Sequence, residues 1–335
     1  MAHNCSLVWF VTGASTGLGL SIVRKVLERN DRVIATTRTP SKAKELAALQ
    51  SQYPSSCEIL QLDLTWNFTA IRAQAEAAIK CWGKVDVVLN NAALSLAVFS
   101  EEAGASIYEE VFKSNVFGPV NVANAFLPHL RERKTGTLVF TGSRSGWKTA
   151  RPVSVLYASS KSALHAIADG LSVELAPFNI KVLNVIPGGL RTSGIDNMTV
   201  VRGEQRTLFT EAYSRLTESP PNGHAHASES SGDGIRGYDP MYRNWMELIN
   251  SINGKQPGDP DESARTIVDV VREEGLMRIV NEAGEMTDQL RAWPGTLYLG
   301  SDAVEDVRQR CTGVLETLEV WKEIAGSIDI KQSPE

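Results

Sequence analysis

The stretch Thr12-Gly13-Ala14-Ser15-Thr16-Gly17-Leu18-Gly19 decides the fold. An apolar run at residues 7–11, Leu-Val-Trp-Phe-Val, precedes it, and a helix-patterned run at residues 20–27 follows. Strand, glycine turn and helix, in that order, form the context of a dinucleotide-phosphate cradle. Gly13 permits a tight turn off the strand, Gly17 puts no side chain in the way of a pyrophosphate, and Gly19 lets the helix close onto the strand. The helix N-terminus adds free N–H groups and a partial positive charge that favour an anion. Three glycines alone also fit an ordinary strand-to-helix turn, so the rest of the chain has to decide.

Working outward, the alternation continues. Residues 32–37, 58–62, 85–89, 137–141 and 181–186 read as further short strands, several of them rich in Val and Ile and apolar on both faces. Helical periods fill the intervals. The pattern predicts an α/β fold, a doubly wound parallel sheet with right-handed crossovers and a ligand crevice at the carboxyl ends of the strands. Gly13, Arg38, Asp63, Asn91, Ser143 and Pro187 each stand just after a strand, so one edge of the sheet collects them.

Tyr157-Ala158-Ser159-Ser160-Lys161 opens a helical stretch, and on a helix residues four apart share a face. A neighbouring ammonium favours tyrosinate and lowers the phenol from its usual value of about 10, which makes Tyr157 usable as a general acid or base. Ser143, upstream after a strand, is placed to hold a substrate oxygen and its developing charge. Ser145 is its rival in that role.

With these motifs in order, the chain resembles the classical short-chain dehydrogenase/reductase family. The glycine turn, Asn90-Asn91-Ala92-Ala93, Asn115-Val116-Phe117-Gly118, Ser143, the Tyr157/Lys161 pair and Pro187-Gly188-Gly189-Leu190-Arg191-Thr192 carry the likeness. It covers roughly residues 5–195, and the next sixty residues and the C-terminal tail depart from the family's core. The resemblance implies a Rossmann fold and a nicotinamide cofactor, with Tyr157 protonating the carbonyl oxygen during reduction. Lys161 would also bond the nicotinamide ribose, and Asn115 would hold a water in a proton relay. Ser15, Thr16, Gly17, Leu18, Asp63, Leu64, Asn91, Ala92, Ala93, Pro187, Gly188, Leu190 and Thr192 would surround the cofactor. Asp63 would accept from the adenine amino group, and Leu64 would contact its ring.

The second strand ends Ala35-Thr36-Thr37-Arg38 without the carboxylate that binds free ribose hydroxyls. Arg38 instead offers a planar fork for a 2′-phosphate, with Ser15 adding a hydroxyl, which points to NADP(H). Trp147, Val153, Leu156, Gly189 and a lid helix around Trp245 are expected to wall an apolar substrate pocket, with Ser145 beside it. A hydrophobic ketone, aldehyde or alcohol would fit there.

The 335 residues, 42% apolar, read as one domain over residues 1–335, with a substrate-lid insertion at 196–260 and a C-terminal helix at 301–325 capped by Ser301. In the family the lid region covers the substrate. A net charge of −5 gives no reason to expect nucleic acid or an anionic membrane as partner. No apolar run approaches the roughly 20 residues needed to span a bilayer. Cys5, Cys57, Cys81 and Cys311 are scattered, which suits a reducing cytoplasm. His224-Ala225-His226, in a stretch rich in Pro, Gly and Ser, lacks a third ligand, so no metal is expected. A homo-oligomer, dimer or tetramer, is implied by resemblance, through the helical stretches 101–131 and 157–177. The leading function is an NADP(H)-dependent oxidoreductase of a carbonyl or secondary alcohol. A biosynthetic ketoreductase with one bulky substrate and a catalytically silent nucleotide sensor are the alternatives. The glycine spacing disfavours an epimerase or dehydratase of the family's extended branch, and the presence of both Tyr157 and Lys161 disfavours the sensor.

Overall fold

A computed structural model describes residues 6–202, 234–281 and 284–330. Seven parallel strands form the central sheet: β1 (Val8–Val11), β2 (Arg32–Thr37), β3 (Cys57–Gln61), β4 (Val87–Asn90), β6 (Gly136–Thr141), β7 (Ile180–Pro187) and β11 (Thr296–Leu299). Their order is β11-β7-β6-β4-β1-β2-β3. The chain therefore runs outward one way from β1, returns, and continues on the other side, so the order reverses between β1 and β4. That reversal opens a crevice above the carboxyl ends of the strands.

Side-chain alternation explains why the sheet is covered twice. On β1, Trp9 and Val11 face one apolar layer with Ile22, Val26, Ile267 and Val268. Val8 and Phe10 face the other, with Phe126, Leu138 and Leu164. All four β1 residues are buried, as a central parallel strand requires. Helices α1 (Gly17–Glu28) and α8 (Pro260–Arg272) cover the first face. On the second lie α3 (Phe68–Trp82), α5 (Gly118–Arg133) and α6 (Val155–Leu175). Asp31, fully buried, ties the two ends of the chain together: it accepts from Leu7 N–H and Trp9 Nε1 and pairs with Arg272.

Helix α2 (Lys44–Gln52) links β2 to β3. A two-residue strand β5 (Leu96–Ala97) pairs in parallel with β8 (Thr199–Val200), and α4 (Ser100–Phe112) runs through a π-helical turn, Lys113–Phe117, into α5. The segment after residue 234 contributes α7 (Asp239–Ile252), an amphipathic helix as its sequence suggests but with no fully buried residue. It docks through a stack of Tyr238 on Phe99 at 4.3 Å and through Arg202, which pairs with both Glu102 and Asp239 and lies over the Tyr242 ring. Strands β9 (Arg278–Val280) and β10 (Met286–Leu290) form a small antiparallel hairpin. The final helix α9 (Ser301–Gly326) follows β11.

Strand β11 forms one edge of the main sheet, parallel to β7 and registered Thr296 to Asn184. One expectation changes. Ser301 is the first helical residue of α9 and not its cap; Gly300, at φ 99°, holds that position, and the Asp302 carboxylate accepts from Ala303 N–H instead. His224 and His226 lie outside the described residues. Among the described residues no cluster of three metal-ligating side chains occurs, and no helix is long and apolar enough to cross a membrane.

Candidate active site

The glycine turn adopts the shape its composition demands. Gly13 and Gly17 have φ of +63° and +54°, a region L side chains rarely enter. A Cβ on Gly13 would sit 2.7 Å from the Ala92 backbone, and one on Gly19 would meet Gly13 O at 2.2 Å. Thr12 Oγ1 accepts from the N–H groups of Asn91 and Ala92, and Asn91 Nδ2 donates to the carbonyls of Thr12 and Gly13. The amide of Asn91 thus holds the turn itself. Leu18 is buried, Ser15 is partly buried, and Thr16 is exposed at the open N-terminus of α1, which has no side-chain cap. Those uncapped N–H groups and the Cβ-free turn fit a dinucleotide pyrophosphate.

The other cofactor candidates ring this turn. Thr192 approaches from the β7 loop, its side chain 3.5 Å from where a Gly17 Cβ would stand. Pro187, Gly188, Gly189 and Leu190 lead to it, all partly buried. Asp63 is buried and accepts from Thr65 N–H and Oγ1 through Oδ1 alone, leaving Oδ2 for another donor. Leu64 packs where any side chain on Gly118 would collide with it. Ala93 is exposed. Arg38 is exposed at the end of β2, its backbone carbonyl held by Gln61, and no carboxylate pairs with its guanidinium among the described residues. A guanidinium fork without a carboxylate partner fits an anionic group such as a phosphate.

Above the middle strands the chemical groups converge. Ser143 follows β6 and is buried; its Oγ accepts from Ser145 N–H at 3.1 Å and its side chain lies beside the Tyr157 phenol. Ser143 therefore reaches Tyr157, while Ser145 supports it through its backbone. Tyr157 stands in the first turn of α6. Burial pushes its phenol above the ordinary value, and the bond to Ser143 opposes that. Lys161 lies one turn on, 2% exposed, its ammonium 5.8 Å from the Tyr157 ring centre and donating to Thr141 O at 2.7 Å. The expected lowering of Tyr157 by Lys161 is not what this geometry gives. The ammonium is directed to the end of β6, and desolvation outweighs it at the phenol. Burial brings Lys161 itself down to about 8.

Asn115 sits in the π-helical turn. Its Oδ1 accepts from Leu94 N–H, and its Nδ2 donates to Leu94 O and Ser160 Oγ. Ser160 Oγ in turn donates to Tyr157 O at 2.8 Å. The Asn115 side chain thus clamps the segment after Asn91 to the first turn of α6. π-Turns of this kind are frequent at functional sites.

Of the substrate candidates, Trp147 and Gly189 flank the Ser143 loop, and the buried Trp147 Nε1 has no partner. Val153 is buried and packs with Tyr238, Tyr242 and Trp245. Leu156 does not wall a pocket: it is wholly buried among Leu96, Val98, Ile107 and Val201 because it faces α4 rather than the crevice.

Two positioning groups escape the sequence reading. His165, four residues beyond Lys161, accepts from Ser143 N–H at 3.2 Å through Nε2 and fills the space left by Gly142 and Gly146. Burial, with the Lys161 charge, brings its imidazole down to about 4, so it stays neutral and an acceptor. Its spacing on the Tyr157/Lys161 face was the available signal. Asp302, in the first turn of α9, accepts from Gly189 N–H and pairs with Arg144, while Asp306 pairs with Arg144 and Lys148. The start of α9 thereby joins the Ser143 segment to the β7 loop. No local pattern around Asp302 announces that role.

Comparison with known proteins agrees with this geometry. The pattern of the short chain dehydrogenase family matches residues 7–200, more than half of the chain. The oxidoreductase YusZ of Bacillus subtilis is 28% identical over 80% of this chain and 86% of its own length. The NADPH-dependent 1-acyldihydroxyacetone phosphate reductase of Saccharomyces cerevisiae is 34% identical over 56% of this chain and 62% of its own. A short-chain dehydrogenase structure from Streptomyces avermitilis superposes with a TM-score of 0.75 at 27% identity, covering 98% of this chain and all of that one. A glycine-turned parallel sheet that presents serine, tyrosine and lysine over one crevice, in a chain matched across that whole region, belongs to the short-chain dehydrogenase family of oxidoreductases.

Proposed function

We propose that the chain transfers a hydride between NADP(H) and the carbonyl or secondary alcohol of a hydrophobic small molecule. The observation that carries this reading is the Ser143 side chain beside the Tyr157 phenol with Lys161 one turn away on the same helix. The nicotinamide supplies or takes the hydride when bound. Ser143 holds the substrate oxygen, and Tyr157 delivers the proton to it in reduction or removes it in oxidation. The raised phenol suits the donor role, since Tyr157 is protonated at neutral pH. Lys161 orients the ribose and supports the developing tyrosinate, and Asn115 and His165 keep these groups in place.

The exposed Arg38 supports NADP(H) over NAD(H), as does the NADPH dependence in the name of the yeast relative. That relative's acyl-bearing ketone also agrees with an apolar pocket under the lid. The enzyme works as a soluble cytoplasmic homo-oligomer, dimer or tetramer. Phe117, Val173 and Phe178, exposed on or beside the long helices, supply an apolar face for pairing. The direct test is turnover of a panel of hydrophobic ketones with NADPH and NADH. Activity with NADPH that vanishes in Tyr157→Phe supports the reading, and tight cofactor binding without turnover of any carbonyl or alcohol returns it to a nucleotide sensor.

A further inference from the structure

Among the described residues, five that are not glycine have a positive φ, and four of them, Asn30, Lys134, Asn179 and Glu273, stand at helix C-termini. A left-handed residue is ordinary there, because it closes the last turn. Val153 is the fifth, and it ends no helix. It has φ 54° and is 3% exposed, a β-branched side chain buried in a backbone region that valine strongly disfavours. Such a residue persists only where its surroundings hold it. Its carbonyl accepts from Val98 N–H at 3.1 Å, just beyond β5. Its side chain clusters with Ala97 and Phe99 and, from the α7 segment, with Tyr238, Tyr242 and Trp245. The α7 segment is fastened at the same spot. Tyr238 stacks on Phe99, and one oxygen of the buried Glu102, Oε1, accepts from both Arg202 Nε and Ile235 N–H.

What Val153 supports follows directly. Helix α6 starts at Val155, Ala158 N–H donates to Ser154 O, and Tyr157 stands one turn beyond Val153. The left-handed residue therefore sets the direction in which the chain enters the first turn of α6, and with it where the phenol lies relative to Ser143. We propose that α7, docked on Val153, keeps this turn left-handed and so holds Tyr157 beside Ser143, which, given the reading of Tyr157 as the proton carrier, confines turnover to molecules whose α7 is docked. Val153 is a positioning residue. With α7 undocked it relaxes to negative φ, its carbonyl turns away from Val98 N–H, and the first turn of α6 shifts. A displacement of about 1 Å in a reacting group costs on the order of 10²-fold in rate.

Glycine takes a positive φ without strain and alanine does not, and that difference supplies the test. Tyr238→Ala removes the stack on Phe99 and loosens α7. With NADPH and a hydrophobic ketone turned over by the wild type, kcat is expected to fall about 10- to 100-fold. The KM for NADPH should hold, because neither Tyr238 nor Val153 belongs to the glycine turn. Adding Val153→Gly is expected to restore most of kcat, since glycine keeps the turn without α7, and adding Val153→Ala is not. If Val153 merely fills space, both additions enlarge the void and glycine rescues nothing. Failure of glycine to restore kcat, or equal restoration by alanine, overturns the inference. Hydrogen exchange of the 153–160 amides in the same proteins gives a readout that needs no turnover. It should quicken in Tyr238→Ala and slow again with Val153→Gly but not with Val153→Ala. Unchanged kcat or unchanged exchange in Tyr238→Ala likewise overturns the coupling. A wild type that turns over no carbonyl or alcohol, yet shows this exchange pattern, overturns the proton-carrier reading and leaves the coupling of α7 to α6 standing.

Discussion

At the residue scale, three side chains carry separable consequences. Tyr157→Phe removes the proton donor while leaving ring packing intact, so kcat should fall about 10²- to 10⁴-fold with cofactor affinity preserved; a variant that keeps most of its kcat takes Tyr157 out of the role. Arg38 contributes a charge-assisted contact of roughly 1.5–3 kcal/mol, so NADP(H) should be preferred about 10- to 100-fold. Arg38→Asp should reverse that preference, chiefly in the cofactor KM, because the 2′-phosphate binds equally in ground and transition states. Equal binding of both cofactors by the wild type would make Arg38 a mere surface charge. His165 gives a pH signature. Its folded value, near 4, lies below the ordinary value of about 6.5, so between these pH values the unfolded chain binds the extra proton. Stability contributed by this group is therefore complete above about pH 6.5 and is lost as pH falls towards 4, by on the order of 3 kcal/mol. His165→Gln, which keeps an acceptor for Ser143 N–H but does not titrate, should flatten that part of the stability profile. Urea midpoints of both proteins at pH 4.5 and 7 decide it, and parallel losses in the two remove His165 as the cause. The imidazole faces the Lys161 ammonium and the Trp147 ring, so protonation would also set two cations together.

At the element scale, the parts that build the crevice were legible because each has a local cause. The strand before Gly13, the positive-φ glycines, the Tyr157/Lys161 spacing and the clustering of Arg38, Asp63 and Asn91 after strands all follow from short-range rules, and β2 matches its expected residues at both ends. What escaped depends on tertiary partners. Leu156 reads as a pocket wall until α4 covers it, and no local pattern marks Asp302 and Asp306 as partners of the Ser143 segment and the β7 loop. Those two aspartates make a prediction of their own. Asp306 is 6% exposed and faces Arg144, Lys148 and Arg151, with Asp302 the second anion in the cluster. Asp306→Asn leaves three cations around one carboxylate. Losing one partner of a buried pair costs about 3–5 kcal/mol, and the partial exposure of these cations reduces that to about 1–3. Because Arg144 adjoins Ser143, the variant should lose kcat as well as melting temperature, and adding Arg151→Gln should restore part of the stability by removing one uncompensated charge. A fall in melting temperature with kcat untouched would limit the start of α9 to holding the fold.

At the scale of the whole molecule, the question is whether the lid and the C-terminal segments stand alone or belong to the sheet. Chains beyond about 250–300 residues commonly divide, and this one exceeds that length. Division requires a second core, and the lid helix α7 has none, since its packing against Phe99 and Val153 borrows residues from the sheet domain. Helix α8 is buried against α1 in the first apolar layer, β11 completes the main sheet, and Arg272 reaches the buried Asp31 beside β1. The last third of the chain thus finishes structure begun by the first thirty residues, and the first apolar layer does not close without it. One cooperative unfolding transition is expected, with intrinsic fluorescence and far-ultraviolet dichroism falling together. NADPH at about 100 times its Kd should shift that single transition by about 2.7 kcal/mol, because the cofactor's binding free energy is then shared by the whole unit. Truncation before α8 should abolish folding, since it uncovers the face of the sheet holding Trp9, Ile22 and Val26. Two resolved transitions, with NADPH moving only the first, would mean that the segment after residue 200 folds on its own and that the layers share less than their packing shows.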